Sequence, residues 1–175
     1  MGIDTSRQFL PLKIAILTVS DTRTAATDKS GDTLQARAEE AGHSVVERRI
    51  VSDDRDRLVR CLEEWIARED VDVVITTGGT GVTGRDITPE AVHAVGEKHI
   101  PGFGELFRWQ SYEKIRTSTI QSRATAVVAK GTYIFALPGS TGACKDAWDG
   151  ILKDQLDVRH RPCNFAELIP RLREK

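Results

Sequence analysis

The chain has 175 residues, with Lys+Arg 25 against Asp+Glu 26, a formal net charge of −1 and 39% hydrophobic residues. That length suits one domain burying roughly 70% of the surface its unfolded form exposes. The even charge balance excludes the basic excess that a nucleic-acid backbone demands, so any phosphate ligand should be small. Three widely spaced cysteines, Cys61, Cys144 and Cys163, form no Cys-x-x-Cys pair, which points to a reducing compartment and away from a disulfide frame or a zinc knuckle. His43, His93, His99 and His160 show no metal-ligand spacing and receive no catalytic role. No apolar stretch approaches the roughly 20 residues of a membrane span, and residues 1–11 are polar, so neither export nor insertion is indicated and the expected location is the cytoplasm.

Residues 13–20 form a nearly unbroken apolar run rich in branched side chains, the pattern of a strand buried on both faces. A polar segment, 21–30, separates it from a helical pattern over 33–41 that stops at Gly42, a residue suited to a left-handed helix cap. A strand over 43–51 follows. At Ser52-Asp53-Asp54 the chain turns into a helix whose Leu58, Leu62, Trp65 and Ile66 recur at helical spacing. Residues 71–77 read as the third strand, after which helices over 89–96 and 103–115 fill one crossover. Residues 124–130 and 132–137, parted by Gly131, predict two strands joined by a tight turn, and hence one antiparallel strand. A helix through Trp148, Ile151, Leu152 and Leu156 closes the chain. Strands alternating with helices imply a single α/β domain over 1–175, a mostly parallel sheet with helices on both faces, with 1–11 and 166–175 as peripheral tails. Ligands bind such sheets beyond the carboxyl ends of the strands at a switch in strand order, so the loops after Ser20, Thr77 and Leu137 should meet at the site.

The third strand breaks into Thr76-Thr77-Gly78-Gly79-Thr80-Gly81 and then Arg85-Asp86-Ile87-Thr88-Pro89-Glu90. Glycines let successive backbone N–H groups point into one concavity and the threonine hydroxyls add donors, so the turn suits a phosphate. It is neither the dinucleotide glycine fingerprint nor a Walker loop, and no serine sits in a nucleophile elbow. Thr88, Pro89 and Glu90 read as a helix start with Thr88 as the N-cap. Asp86, just outside that helix mouth, is badly placed beside a phosphate unless a cation intervenes, which makes it a candidate magnesium ligand, with helix capping as the alternative. Asp53 lies at the carboxyl end of a strand, where capping alone would also account for it. A second glycine turn, Pro138-Gly139-Ser140, repeats the sequence of strand, turn and helix. Glu105, Arg108 and Ser111 share one helix face, from which Arg108 could meet a phosphate or pair with Glu105. Ser122 and Arg123 precede the hairpin, as a strand cap or an anion contact.

The run from Thr76 to Gly81, followed by Arg85 to Glu90 and then by Leu137-Pro138-Gly139-Ser140, closely resembles the molybdopterin-binding family of MoaB and MogA, over about residues 13–165. The stretches 102–108, 117–123, 143–148 and 161–165 are similar to its MoaB branch. The resemblance implies a three-layer α-β-α sandwich, a trimer or hexamer, a pterin pocket and, in active members, adenylylation of molybdopterin by Mg-ATP with release of pyrophosphate. It implies that Thr76, Gly78, Gly79, Thr80 and Gly81 with Pro138, Gly139 and Ser140 hold pterin and phosphate, and that Asp53 and Asp86 match two aspartates needed for activity and hold magnesium. Glu105, Arg108, Ser111, Ser122 and Arg123 fall in the substrate-side region. One departure stands out: the catalytic branch usually continues Pro-Lys after the second turn, whereas this chain has Thr141-Gly142. A pterin-binding carrier without the chemistry therefore stays open beside the enzyme.

Overall fold

β1 (Lys13–Val19) is buried from its second residue onward because its side chains feed two separate cores. Ile14 and Ile16 enter one, Ala15, Leu17 and Val19 the other, as the two-residue period of a strand requires. The computed structural model describes residues 2–174; Met1 and Lys175, at the ends of the expected tails, lie outside the described residues. β1 sits inside a six-stranded sheet, between β2 (Ser44–Val51) and β3 (Val73–Thr77), both parallel to it. β6 (Thr132–Leu137) pairs parallel with β3, and β5 (Thr125–Ala129) runs antiparallel to β6. A two-residue β4 (Lys98–His99), absent from the sequence expectation, pairs antiparallel with β5 and completes the order β2-β1-β3-β6-β5-β4.

Helices cover both faces. α1 (Lys29–Glu40), α4 (Pro101–Ile115) and α5 (Thr141–Ala147) supply Leu34, Phe103, Phe107 and Cys144 to the first core. α5 runs on through a wide π turn (Trp148–Leu152) and a last helical turn (Lys153–Gln155). α2 (Arg55–Ile66) and α3 (Thr88–Val95) close the other face with Leu58, Leu62, Trp65 and Val92. The expected α/β sandwich is therefore present, with β5 as its antiparallel strand. Among the described residues no helix is long and apolar enough to cross a membrane. Phe165 rests on Tyr133 and Phe135, ring centroids 4.9 and 5.7 Å apart, and Ala166 is buried, so the C-terminal segment begins as part of the core.

Three local expectations need correction. The polar segment before α1 ends sooner than 30, because buried Asp28 caps the helix by accepting from the Gly31 N–H at 3.0 Å and also takes bonds from Thr18 and Arg48. Asp54, not Asp53, caps α2, its carboxylate accepting from the Arg57 N–H at 2.9 Å. Thr88 is already helical, and its hydroxyl donates to the Gly78 carbonyl at 2.7 Å instead of capping α3.

His43 is buried between α1 and β2, with its Nδ1 accepting from the Leu12 N–H at 3.1 Å and its ring against Phe9 and Trp148. Burial lowers its pKa from 6.5 to about 4. Between those values the unfolded chain binds more protons than the folded one, so this group's contribution is complete above pH 6.5 and is lost as pH falls through 4. The loss amounts to about 3 kcal/mol at most. His43→Asn, whose amide oxygen can take the Nδ1 acceptor role, should flatten the fall in urea-unfolding free energy between pH 7 and pH 4 by up to that amount; parallel profiles for the two proteins would contradict it.

Candidate functional site

At the carboxyl ends of β1, β3 and β6 the backbone segments approach so closely that side chains are excluded. Gly78 has φ of +108°, and a Cβ there would stand 2.3 Å from the Val19 carbonyl oxygen. Its N–H donates to the Leu137 carbonyl at 3.0 Å, so this amide ties β3 to β6 and does not face a ligand. A Cβ on Gly139 would lie 3.2 Å from the Gly78 Cα. The Gly139 carbonyl accepts from Ser30 Oγ at 2.8 Å and from Arg23 Nη2 at 3.3 Å, while Thr77 Oγ1 donates to the Pro138 carbonyl at 3.0 Å. The second bend is thus pinned by side chains of Arg23, Ser30 and Thr77, and the first by the Thr88 hydroxyl on the Gly78 carbonyl.

Two clefts open on either side of this ridge and share Gly79, Asp86 and Gly139. The larger, of about 570 Å³, runs under α4 and is walled by apolar Phe107, Ile115 and Ala143, with Ser111, Ser122, Lys114 and Asp146 among its polar points. The smaller, of about 300 Å³, is polar, bounded by Ser20, Arg23, Asp53 and Arg85. The loops after Ser20, Thr77 and Leu137 do meet at one site, at the point where the strand order reverses about β1 and β3.

Asp53 and Asp86 face the same small cleft with opposed tendencies. Burial, and then the negative charge of Asp86, push the Asp53 carboxyl above its usual value. For Asp86 burial acts upward too, but hydrogen bonds from the Thr83 hydroxyl and N–H and the Gly81 backbone outweigh it and hold the group low. Its carboxylate closes the 83–86 loop and does not cap α3. Asp21 exchanges backbone-to-carboxylate bonds with Asp53 at 3.3 and 3.1 Å. The Arg85 guanidinium pairs with Asp21 and comes within 3.9 Å of Asp53. Among the described residues no three His, Cys, Asp or Glu cluster as a metal site. Two hard carboxylates beside a phosphate-sized polar cleft nonetheless suit magnesium, which keeps most of its waters and takes one or two carboxylates together with substrate phosphates.

The remaining sequence candidates separate. Thr80, Gly81, Pro138 and Ser140 line the large cleft, where Ser140 also caps α5 by accepting from the Ala143 N–H at 3.2 Å. Ser111 and Ser122 line it as well. Thr76 does not: it is fully buried, and its Oγ1 finds no hydrogen-bond partner. Arg108 donates to the Ser122 and Ala124 carbonyls at 3.4 and 3.2 Å, and with Glu105 it borders a different depression between α3 and α4. Arg123 clamps the glycine loop, donating to the Gly81 and Asp86 carbonyls at 2.6 Å each and pairing with Glu90. Sequence reasoning missed Asp21, Arg23, Arg85, Lys114 and Asp146. Asp21 and Arg23 stand in the loop after Ser20 that was expected at the site, and Lys114 follows Ser111 by one helical step, so position alone could have flagged them.

The geometry agrees with what the chain is similar to. Residues 15–158 match the model of the probable molybdopterin binding domain. Molybdenum cofactor biosynthesis protein B of Escherichia coli strain K12 is 52% identical over 160 residues, 91% of this chain and 94% of that protein. The protein of the same name from Bacillus subtilis strain 168 is 42% identical over 159 residues, 89% of this chain and 94% of its own length. A crystal structure of molybdenum cofactor biosynthesis protein B superposes with a TM-score of 0.87 at 39% identity, covering 97% of this chain and all of the other (100%). The tungsten cofactor synthesizing protein MoaB of Pyrococcus furiosus gives a TM-score of 0.77 at 34% identity over 94% of this chain and 98% of that one. With its glycine bends, its paired clefts and these relatives, the chain belongs to the molybdopterin-binding family of molybdenum cofactor biosynthesis.

Proposed function

We propose that this protein binds molybdopterin in the large cleft and adenylylates it with Mg-ATP, releasing pyrophosphate. The observation that carries the proposal is the pair of clefts with contrasting chemistry that share Gly79, Asp86 and Gly139. An apolar-walled cleft with a few polar points fits a ring system, and a small polar cleft bearing arginines fits phosphates. A phosphate lying on the shared ridge would reach into both. In the step itself an oxygen of the pterin's terminal phosphate forms a bond to the α-phosphorus of ATP, the bond from that phosphorus to the bridging oxygen breaks, and pyrophosphate departs. Arg23 and Arg85 stand on the side of the leaving phosphates, while the pinned glycine bends hold the acceptor in line. Asp53 and Asp86 would hold magnesium, which when bound supplies charge neutralisation to the phosphate oxygens.

One feature favours a second possibility, a pterin carrier that keeps the pocket without the chemistry. Behind the second bend Gly142 lines the large cleft bare, with no heavy atom within 4 Å of where its Cβ would be, and Lys145 is exposed outside the cleft. A homo-oligomer, trimeric or hexameric, is part of the same proposal. It is supported by the apolar side chains that α4 and the segment after it leave in solvent, including Trp109 at 72% and Ile120 at 80% exposure. The cytoplasm is the compartment proposed for it.

Purified protein incubated with molybdopterin, ATP and magnesium should yield adenylylated pterin and pyrophosphate in equal amounts. Pterin binding without either product would select the carrier. Asp86→Asn should lower turnover on the order of 100-fold or more while leaving pterin affinity nearly unchanged, because the carboxylate is asked to act on the phosphates and not on the ring; unaltered turnover would remove Asp86 from that role.

A further inference from the structure

Among the described residues, seventeen border the large cleft, and of these Lys114 alone carries a positive charge. It reaches in from the last turn of α4, and its Nζ meets Asp146 Oδ1 at 2.5 Å on the opposite wall, contributed by α5. Gln110, one turn earlier on α4, donates to the Asp146 carbonyl at 2.8 Å, so the two helices are already latched by a neutral bond and the ion pair is not needed to hold them. The lysine side chain is 62% exposed, so it retains freedom to reorient, whereas Asp146, at 21%, is largely buried. Across the cleft from Lys114 the second glycine bend ends in Ser140, whose Oγ is occupied as a cap, and Gly142 offers no side chain.

We infer that Lys114 is the binding residue for the phosphate of the pterin, swinging from Asp146 to the ligand when the cleft fills. The inference rests on the proposal that the large cleft takes molybdopterin. A dianionic phosphate entering a cleft that already holds Asp86 and Asp146 meets two carboxylates, and one ammonium on a flexible stem is the single mobile countercharge within that wall. Asp146 then acts as a resting partner that keeps the ammonium in the cleft while it is empty.

The test is a set of binding titrations on the full-length chain with three probes: molybdopterin, its dephosphorylated form, and ATP with magnesium. Lys114→Met keeps the aliphatic stem and should weaken molybdopterin about tenfold, the loss of one charge-assisted bond, while changing the affinities for the dephosphorylated pterin and for ATP by less than twofold. Gly142→Lys added to Lys114→Met, placing an ammonium on the opposite wall in open space, should recover most of the lost affinity. Unchanged binding of molybdopterin by Lys114→Met, or an equal loss for both pterin forms, overturns the inference. A loss confined to ATP overturns it as well, by giving the ammonium to the nucleotide. Failure of the unsubstituted protein to bind either pterin would instead reject the pterin reading of the cleft itself.

Discussion

The structure depends on one close approach of backbone to backbone. Where β1, β3 and β6 end, the Gly78 amide bonds to the Leu137 carbonyl at 3.0 Å, and a Cβ on Gly139 would stand 3.2 Å from the Gly78 Cα. Any side chain at Gly78 would strike the Val19 carbonyl. Because side chains are excluded there, two clefts can press against one thin ridge and share Gly79, Asp86 and Gly139. The surrounding polar side chains serve that ridge. Ser30, Arg23, Thr77 and Thr88 each bond a carbonyl of one bend or the other, so the turns are held by the fold before any ligand arrives.

The charged groups of the small cleft sit on one side of the ridge: Asp53 and Asp86 face it, and Arg85 links Asp53 to Asp21. Arg123, by contrast, is wholly engaged with the glycine loop and Glu90, so it stiffens the loop and adds no free charge to the clefts. The same division of labour appears on α4. Arg108 faces back onto the chain's own carbonyls, while Lys114, six residues on, faces the large cleft.

Much of this was legible in the sequence because it was written in period and in glycine. The nearly unbroken apolar runs of β1, β3 and β6 gave buried strands, and the helical spacing of Leu58, Leu62, Trp65 and Ile66 gave α2. Both glycine turns pointed to the site. Less legible were features decided by tertiary partners. Asp28 begins α1 earlier than the pattern suggests because Thr18 and Arg48 stabilise its buried carboxylate, contacts that span 10 and 20 residues. Thr88 looked like a cap, yet the Gly78 carbonyl ten residues away claims its hydroxyl. The direction of a charged side chain was equally hidden: helix spacing grouped Glu105, Arg108 and Ser111, but only Ser111 of the three reaches the large cleft, and Thr76 in the glycine motif is turned into the core.

The central claim is that a single ligand lies across the ridge, with its ring under α4 and its phosphate on the glycine bends. A crystal structure of the protein with molybdopterin bound measures this directly. The expected density places the pterin against Phe107 and Ala143, with the phosphate oxygens at hydrogen-bonding distance from the Gly79 to Gly81 backbone and beside Gly139. Density for the ligand in the depression bordered by Glu105 and Arg108, with both bends free of it, would contradict the account.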